Sequence, residues 1–151
     1  MLEQLDRTVF YRTVWLIVQQ IPPGRVATYG QIASMIPPPP HIDPEAYRRL
    51  APRVVGDAMN AVSGRDDPAI PWHRVINSRG GISLPVESAA ANIQRQRLRA
   101  EQVTFDMKER VDLHRFGWDG PDSAWLQAHD LLPPQPIKGD PPAETSQLSL
   151  F

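Results

Sequence analysis

The sequence predicts a mainly α-helical domain with a small β element. Two observations carry this. Several stretches hold apolar residues at helical spacing, and Pro/Gly-rich punctuation separates them. Two short helices also follow one another in the order of a helix-turn-helix, here with an unusually long connection. The 151 residues leave room for one domain of ordinary size, and an apolar content of 41% suffices for a packed core.

Residues 8–20 carry Val9, Phe10, Trp15, Leu16, Ile17 and Val18 among polar residues, which fits a helix with one broad apolar face. Pro22-Pro23-Gly24 stops it. Thr28 is a candidate N-cap for a short helix through Gln31, Ile32 and Ala33. Four consecutive prolines, residues 37–40, end that helix and impose an extended excursion. Residues 45–62 form the next helical region, with a break allowed at Pro52, which suits the first turn of a following helix. Asn77-Ser78-Arg79-Gly80-Gly81 signals a turn, with Ile82-Ser83-Leu84 as a possible strand after it. Residues 88–102 read as a helix capped by Ser88. Residues 103–105 are extended, and Phe116, Trp118, Trp125 and Leu126 are expected to pack back on the core. From Pro133 the composition turns to prolines interspersed with Lys, Gly, Asp and Glu. The expected organisation is therefore a domain at 1–132, a disordered linker at 133–146 and a terminal peptide at 147–151.

No apolar run approaches about 20 residues, so a membrane span is not expected. The N-terminus lacks a signal pattern. There is no cysteine, which excludes disulfides, thiolate metal sites and thiol catalysis together. The 4 histidines show no metal-ligand spacing, so neither metal nor cofactor is expected. These absences favour a cytoplasmic protein. A net charge of -1 does not advertise nucleic-acid binding. Yet Arg48, Arg49, Arg53, Arg65, Arg74 and Arg79 share a segment whose only acids are Asp57, Asp66 and Asp67. That segment is either a face for phosphates or a solvated charged surface.

Three stretches stand out: Gly24-Arg25-Val26-Ala27-Thr28-Tyr29-Gly30-Gln31-Ile32-Ala33, then Arg53-Val54-Val55-Gly56-Asp57-Ala58-Met59, then Pro71-Trp72-His73-Arg74-Val75-Ile76. In this order they resemble the O6-alkylguanine-DNA alkyltransferases from about Phe10 to about Val103. The aromatic segment to Trp125 resembles bacterial alkyltransferase-like members. The fold this implies is the winged helix-turn-helix DNA-binding domain of the alkyltransferase C-terminal type. In the transferases a cysteine stands where this chain has Trp72, and its thiolate takes the alkyl group from guanine. An indole nitrogen, its lone pair part of the aromatic system, cannot. The resemblance therefore implies a non-enzymatic, monomeric protein that binds double-stranded DNA containing O6-alkylguanine and flags it for nucleotide excision repair proteins.

The resemblance also assigns residues. Tyr29 matches the tyrosine that helps rotate the target nucleotide out of the duplex; the plainer alternative is a tyrosine packed at a helix start. Arg53 matches the arginine finger that replaces the lost pairing, against a simple phosphate contact from a helix surface. Gly56 matches a glycine that lets the recognition helix approach the minor groove. Asp57 stands where the family often has another glycine. Trp72 would line the lesion pocket with Tyr29, although a tryptophan after proline is by itself more often core. Arg79 is a candidate lesion probe, because Leu84-Pro85 occupies the place where some members carry a basic residue. His73 and Glu101 match the pair that activates the thiol, here expected as a structural relic. Asp66-Asp67-Pro68 departs from the transferases' asparagine, and the connection from Ile36 to Leu50 is longer than typical.

At the terminus, Gln147, Leu148, Leu150 and Phe151 resemble the short peptide by which bacterial repair proteins bind the DNA polymerase sliding clamp. The alternative is a tail folded back on its own domain. Two other functions compete: slow hydrolytic dealkylation using His73 and Glu101, and a winged-helix regulator that ignores damage. A protein with the leading role would be cytoplasmic and associated with the nucleoid.

Overall fold

The computed structural model describes residues 5–137. Helix α1, Arg7–Val18, is capped by Asp6, whose carboxylate accepts the Thr8 and Val9 N–H groups. It buries Phe10, Val14, Ile17 and Val18, a stripe at helical spacing. Strand β1, Ala27–Thr28, pairs in parallel with β2, Val75–Ile76, with Ala27 opposite Val75 and Thr28 opposite Ile76. Thr28 then caps α2, Tyr29–Met35, accepting the Gln31 N–H at 3.1 Å. The prediction for this cap holds.

Helix α3, Pro44–Ser63, starts on an Asp43 cap with Pro44 in its first turn. The break allowed at Pro52 does not occur: the helix runs through it for 20 residues. Pro52 stands on the open side, lining a cleft with Arg48. On the core side Tyr47, Ala51, Val54 and Val55 are buried. Packing on both sides of the proline holds the two halves in line against the lost hydrogen bond. Helices α2 and α3 pack side by side as the expected helix pair, and residues 36–43 form the long connection.

A 3₁₀ turn at Trp72–Arg74 leads into β2. The strand expected at residues 82–84 is absent. Asn77 Oδ1 instead accepts the Arg79 and Gly81 N–H groups and closes a turn, and the Val111 N–H goes to the Gly80 carbonyl. Backbone pairing is thus taken up before residue 82 is reached, and the sheet is the parallel β1–β2 pair. Ser88 caps α4, Ala89–Ala100, as expected. Phe105 and Val111 bridge antiparallel across a tight turn. Two short helices follow, α5 Leu113–Phe116 and α6 Ser123–Ala128, and Phe116, Trp118 and Leu126 return to the core.

The main core spans α1, α2, α3 and the 3₁₀ turn; a second cluster joins Val26, Ile76, Leu98, Val103 and Val111. The linker expected from Pro133 begins differently. The Leu132 N–H reaches the Met35 carbonyl at 2.8 Å, and the Gln135 N–H reaches Ser34 Oγ at 2.9 Å. Residues 133–137 therefore run along the body, because α2 ends with acceptors facing that path. The rest of the expected linker and the terminal peptide, with Gln147, Leu148, Leu150 and Phe151, lie outside the described residues. Among the described residues no helix is long and apolar enough to cross a membrane, and no cluster of three or more His, Asp or Glu is placed to hold a metal.

Candidate nucleic-acid interface

Successive helical residues turn by about 100°. On α3 this aligns Arg49, Arg53, Gly56 and Asn60 along one face. Arg49, Arg53 and Asn60 are exposed and Gly56 is half-buried. A Cβ added at Gly56 would meet nothing within 4 Å, so the protein's own packing does not require a glycine there. Asp57, four residues after Arg53 and about 40° round from it at the edge of this stripe, pairs with Arg7 at 3.3 Å. Its charge is thereby partly offset by a cation from α1. Tyr29 opens α2 directly after β1 and packs half-buried against the main core. The parallel β1–β2 register, with Thr28 opposite Ile76, sets Tyr29 at the Asn77 end of the strand pair, and the Trp72 turn leads into the other end.

Trp72 is 3% exposed and belongs to the core. Its indole N–H donates to Asp66 Oδ1 at 2.9 Å. Asp66 accepts two further bonds from the Arg97 guanidinium, both at 2.7 Å, and that guanidinium lies 5.6 Å above the Trp72 ring. The hydrogen bonds from Arg97 and Trp72 hold the Asp66 carboxyl well below the usual carboxylate range. Asp66 also adopts a φ of 48°, placing its carboxylate under this clasp at the cost of a left-handed backbone.

A second network lies beneath. His73 Nε2 is 2.8 Å from Glu101 Oε2. Arg74 Nε donates to both Glu101 oxygens at 3.1 Å, its Nη2 to Oε2 at 2.7 Å, and its Nη1 to the Ile21 carbonyl at 2.9 Å. The Gly24 N–H adds a bond to Glu101 Oε1 at 3.0 Å. Burial alone would raise the Glu101 pKa; the hydrogen bonds from Arg74, His73 and Gly24 outweigh it and bring it down to about 2. Burial pushes the His73 pKa down, against the pull of Glu101. A neutral His73 facing an ionised Glu101 carries its proton on Nε2. That leaves Nδ1 a bare acceptor, and it has no hydrogen-bond partner among the described residues. Gln94 holds the same turn by its carbonyls, donating to Val75 O at 3.0 Å and His73 O at 3.3 Å.

The structure thus joins His73 to Glu101 and places Tyr29 against the cluster that contains Trp72. A cleft of about 460 Å³ beside the loop is walled by Gln19, Asp66, Asp67, His73, Arg74 and Arg97, among others, but not by Trp72 or Tyr29. Exposed Arg79 lines a different cleft, about 230 Å³, with Arg95, Lys108 and Arg110. Sequence reasoning missed the Asp66–Arg97 clasp. Its only visible signal was the acidic pair where the transferases carry asparagine.

Residues 9–103 match the family model of the 6-O-methylguanine DNA methyltransferase DNA-binding domain. The chain belongs to this family. It is an alkyltransferase-like member, with Trp72 in place of the cysteine. It is 40% identical over 116 residues to alkyltransferase-like protein 1 of Schizosaccharomyces pombe, covering 77% of this chain and 94% of that one. It is 36% identical over 112 residues to a DNA base-flipping protein of Escherichia coli, covering 73% and 74%. Among solved structures it is similar to S. pombe Atl1 in complex with damaged DNA containing O6-carboxymethylguanine. The TM-score is 0.53 at 34% identity, over 74% of this chain and 95% of that one.

Proposed function

We propose that this chain recognises O6-alkylguanine in double-stranded DNA by turning the nucleotide out of the duplex, and binds it without removing the alkyl group. One observation carries the reading. The place of the alkyl acceptor in the family motif is filled by a buried tryptophan whose N–H is tied to Asp66, in a chain with no cysteine. No thiolate can form, so the remaining capacity is recognition. The relatives named for base flipping, and the similar Atl1 bound to damaged DNA, support it.

In this reading α3 lies in the minor groove. Gly56 allows close approach of the backbone, and Arg53 enters the stack to offset the few kcal/mol, roughly, that flipping costs. Tyr29 crowds the phosphate of the flipped nucleotide. Trp72 meets the base only if the Arg97 guanidinium moves off the indole, because that face is covered, while Tyr29 and Arg79, the latter from its own cleft, complete the lesion pocket in this reading. Lesion binding is therefore coupled to opening of the Asp66–Arg97 clasp. His73 and Glu101 keep a structural role.

The experiment pairs two duplexes, identical except for one guanine methylated at O6, and examines the DNA after binding. Tighter binding to the methylated duplex with the methyl retained is the expected result. Equal affinity overturns the reading in favour of a regulator indifferent to damage. Loss of the methyl, with methanol released, would reveal hydrolysis.

Downstream, the bound and distorted site would be flagged for nucleotide excision repair proteins, a role for the cytoplasm and its nucleoid. The terminal residues Gln147, Leu148, Leu150 and Phe151 would hold the sliding clamp while the head holds DNA. Deleting residues 147–151 should abolish clamp binding and leave duplex affinity unchanged; clamp binding that survives the deletion refutes this tether.

A further inference from the structure

Most arginines of the described chain are engaged. Arg7 pairs with Asp57, Arg74 with Glu101, Arg95 with Glu109 and Arg97 with Asp66; Arg65 lies over Trp15 and Arg115 over Phe116. Arg48, Arg49 and Arg53 have no ion-pair or hydrogen-bond partner among the described residues, and all three are exposed on α3. Their side chains are available to an anion without breaking any contact of the fold.

The first two turns of α3, residues 44–51, exist because the long connection folds onto the body. Ile36, Ile42, Ala46, Tyr47 and Ala51 are buried. The Tyr47 hydroxyl donates to the Ile36 carbonyl at 2.9 Å, and the Tyr47 ring meets Phe10 edge-on at 6.5 Å. These contacts, with the Asp43 cap, fix the extension as a rigid continuation of the helix that carries Arg53. Arg49 precedes Arg53 by four residues, which is about 6 Å along the axis and about 40° round it. It continues the stripe of Arg53, Gly56 and Asn60. Glu45, one turn earlier on that face, is the acid at which the positive stripe ends.

We infer that residues 44–51 extend the DNA-facing stripe of α3 beyond Arg53, with Arg49 gripping the sugar–phosphate backbone to one side of the flipped nucleotide. This deepens the function proposed above and rests on α3 lying against DNA. The partner chemistry is a phosphodiester, read without regard to base. The connection is thus a device that lengthens the footprint in one direction, and its contact contributes affinity rather than adduct preference.

The test measures affinity of the full chain for the methylated and unmethylated duplexes across a salt series. Losing one phosphate contact lowers the slope of log affinity against log salt by roughly 0.9. Arg49→Gln should show that loss on both duplexes, with the ratio between them unchanged. Arg12→Gln, an exposed arginine of α1, should keep the parent slope. A second measurement shortens the duplex from one flank and then from the other. Trimming one flank should weaken the parent and leave Arg49→Gln unaffected. A parent-like slope in Arg49→Gln, a changed ratio, or indifference to trimming on both flanks overturns the inference. The arms separate the two claims. Equal affinity of the parent for both duplexes refutes damage recognition, while the slope still decides Arg49.

Discussion

Glu101→Ala removes the acceptor on which three segments converge. Arg74 would keep only the Ile21 carbonyl, His73 would lose its Nε2 partner, and the Gly24 N–H would lose its side-chain acceptor. Removing one partner of a buried ion pair costs about 3–5 kcal/mol. The Glu101 and Arg74 side chains are 16% and 15% exposed, so water reaches part of the cluster. The lower end, about 3 kcal/mol, is the expectation. That is a large share of a domain's total of about 5–15 kcal/mol. With a urea slope of about 1.5–2 kcal/mol per molar, the unfolding midpoint should fall by about 1.5–2 M. The double-mutant cycle with Arg74→Met should show coupling of about 1–3 kcal/mol. Affinity for the methylated duplex, measured where the variant is folded, should stay at the parent value, because the pair no longer serves a thiol. A midpoint shift below about 0.3 M, or additive single and double variants, would refute the carboxylate as the clasp of this fold. A specific loss of adduct affinity would refute the structural reading of His73 and Glu101.

Three other expectations follow from the same structure. Glu101 titrates at about 2 in the fold against an ordinary 4.5, so its stabilisation is complete above about pH 4.5 and is lost as pH falls toward 2. His73, pushed below 6.5, adds an earlier loss that begins as pH drops under that value, because the unfolded chain takes up the proton more readily; urea midpoints between pH 8 and pH 2.5 should decline in that order, and Glu101→Ala should flatten the acid limb. Gly80→Ala should cost at least about 2 kcal/mol in thermal or urea unfolding. Gly80 has a φ of 88°, and a methyl group there would run into the Val111 carbonyl oxygen across the bond that joins the two turns. Asp57→Asn should tighten duplex binding at low salt and lose that advantage at high salt, since it removes an acid beside the DNA-facing stripe while the exposed Arg7 pair contributes at most about 1 kcal/mol to stability.

The helix starts were legible because capping is local. Thr28 and Ser88 bond to N–H groups three residues ahead, which a sequence displays directly. Pro52 misled for the opposite reason. Its preference for a helix start is local, but the continuity of α3 is decided by Tyr47, Ala51, Val54 and Val55 packing on the core, a tertiary fact. The strand expected at residues 82–84 failed likewise: its apolar composition fits a strand, yet the backbone pairing is settled by Asn77, Gly80 and Val111. At the site, the motif located Trp72, His73 and Glu101. It did not show that Arg97, from the last turn of α4, closes over the indole through Asp66. The two residues stand 31 apart, and no periodicity links them.

The formal net charge of -1 conceals how charge is distributed in this fold. The acids are placed where they neutralise arginines of the body: Glu101 on Arg74, Asp66 on Arg97, Glu109 on Arg95. Each pair fixes a turn or a helix end. On α3 Asp57, at the edge of the stripe, is paired with Arg7, while Arg48, Arg49 and Arg53 have no ion-pair partner among the described residues. Within a screening distance of about 8 Å a phosphate responds to this local surplus and not to the total. Moving one acid would therefore matter more than changing the sum. Exchanging Asn60 for Asp on the stripe should weaken duplex binding well beyond what the same single charge does at exposed Asn92 on α4, although both variants carry the same net charge. If the two substitutions weaken binding equally, the total charge governs association and the α3 stripe is not the binding face.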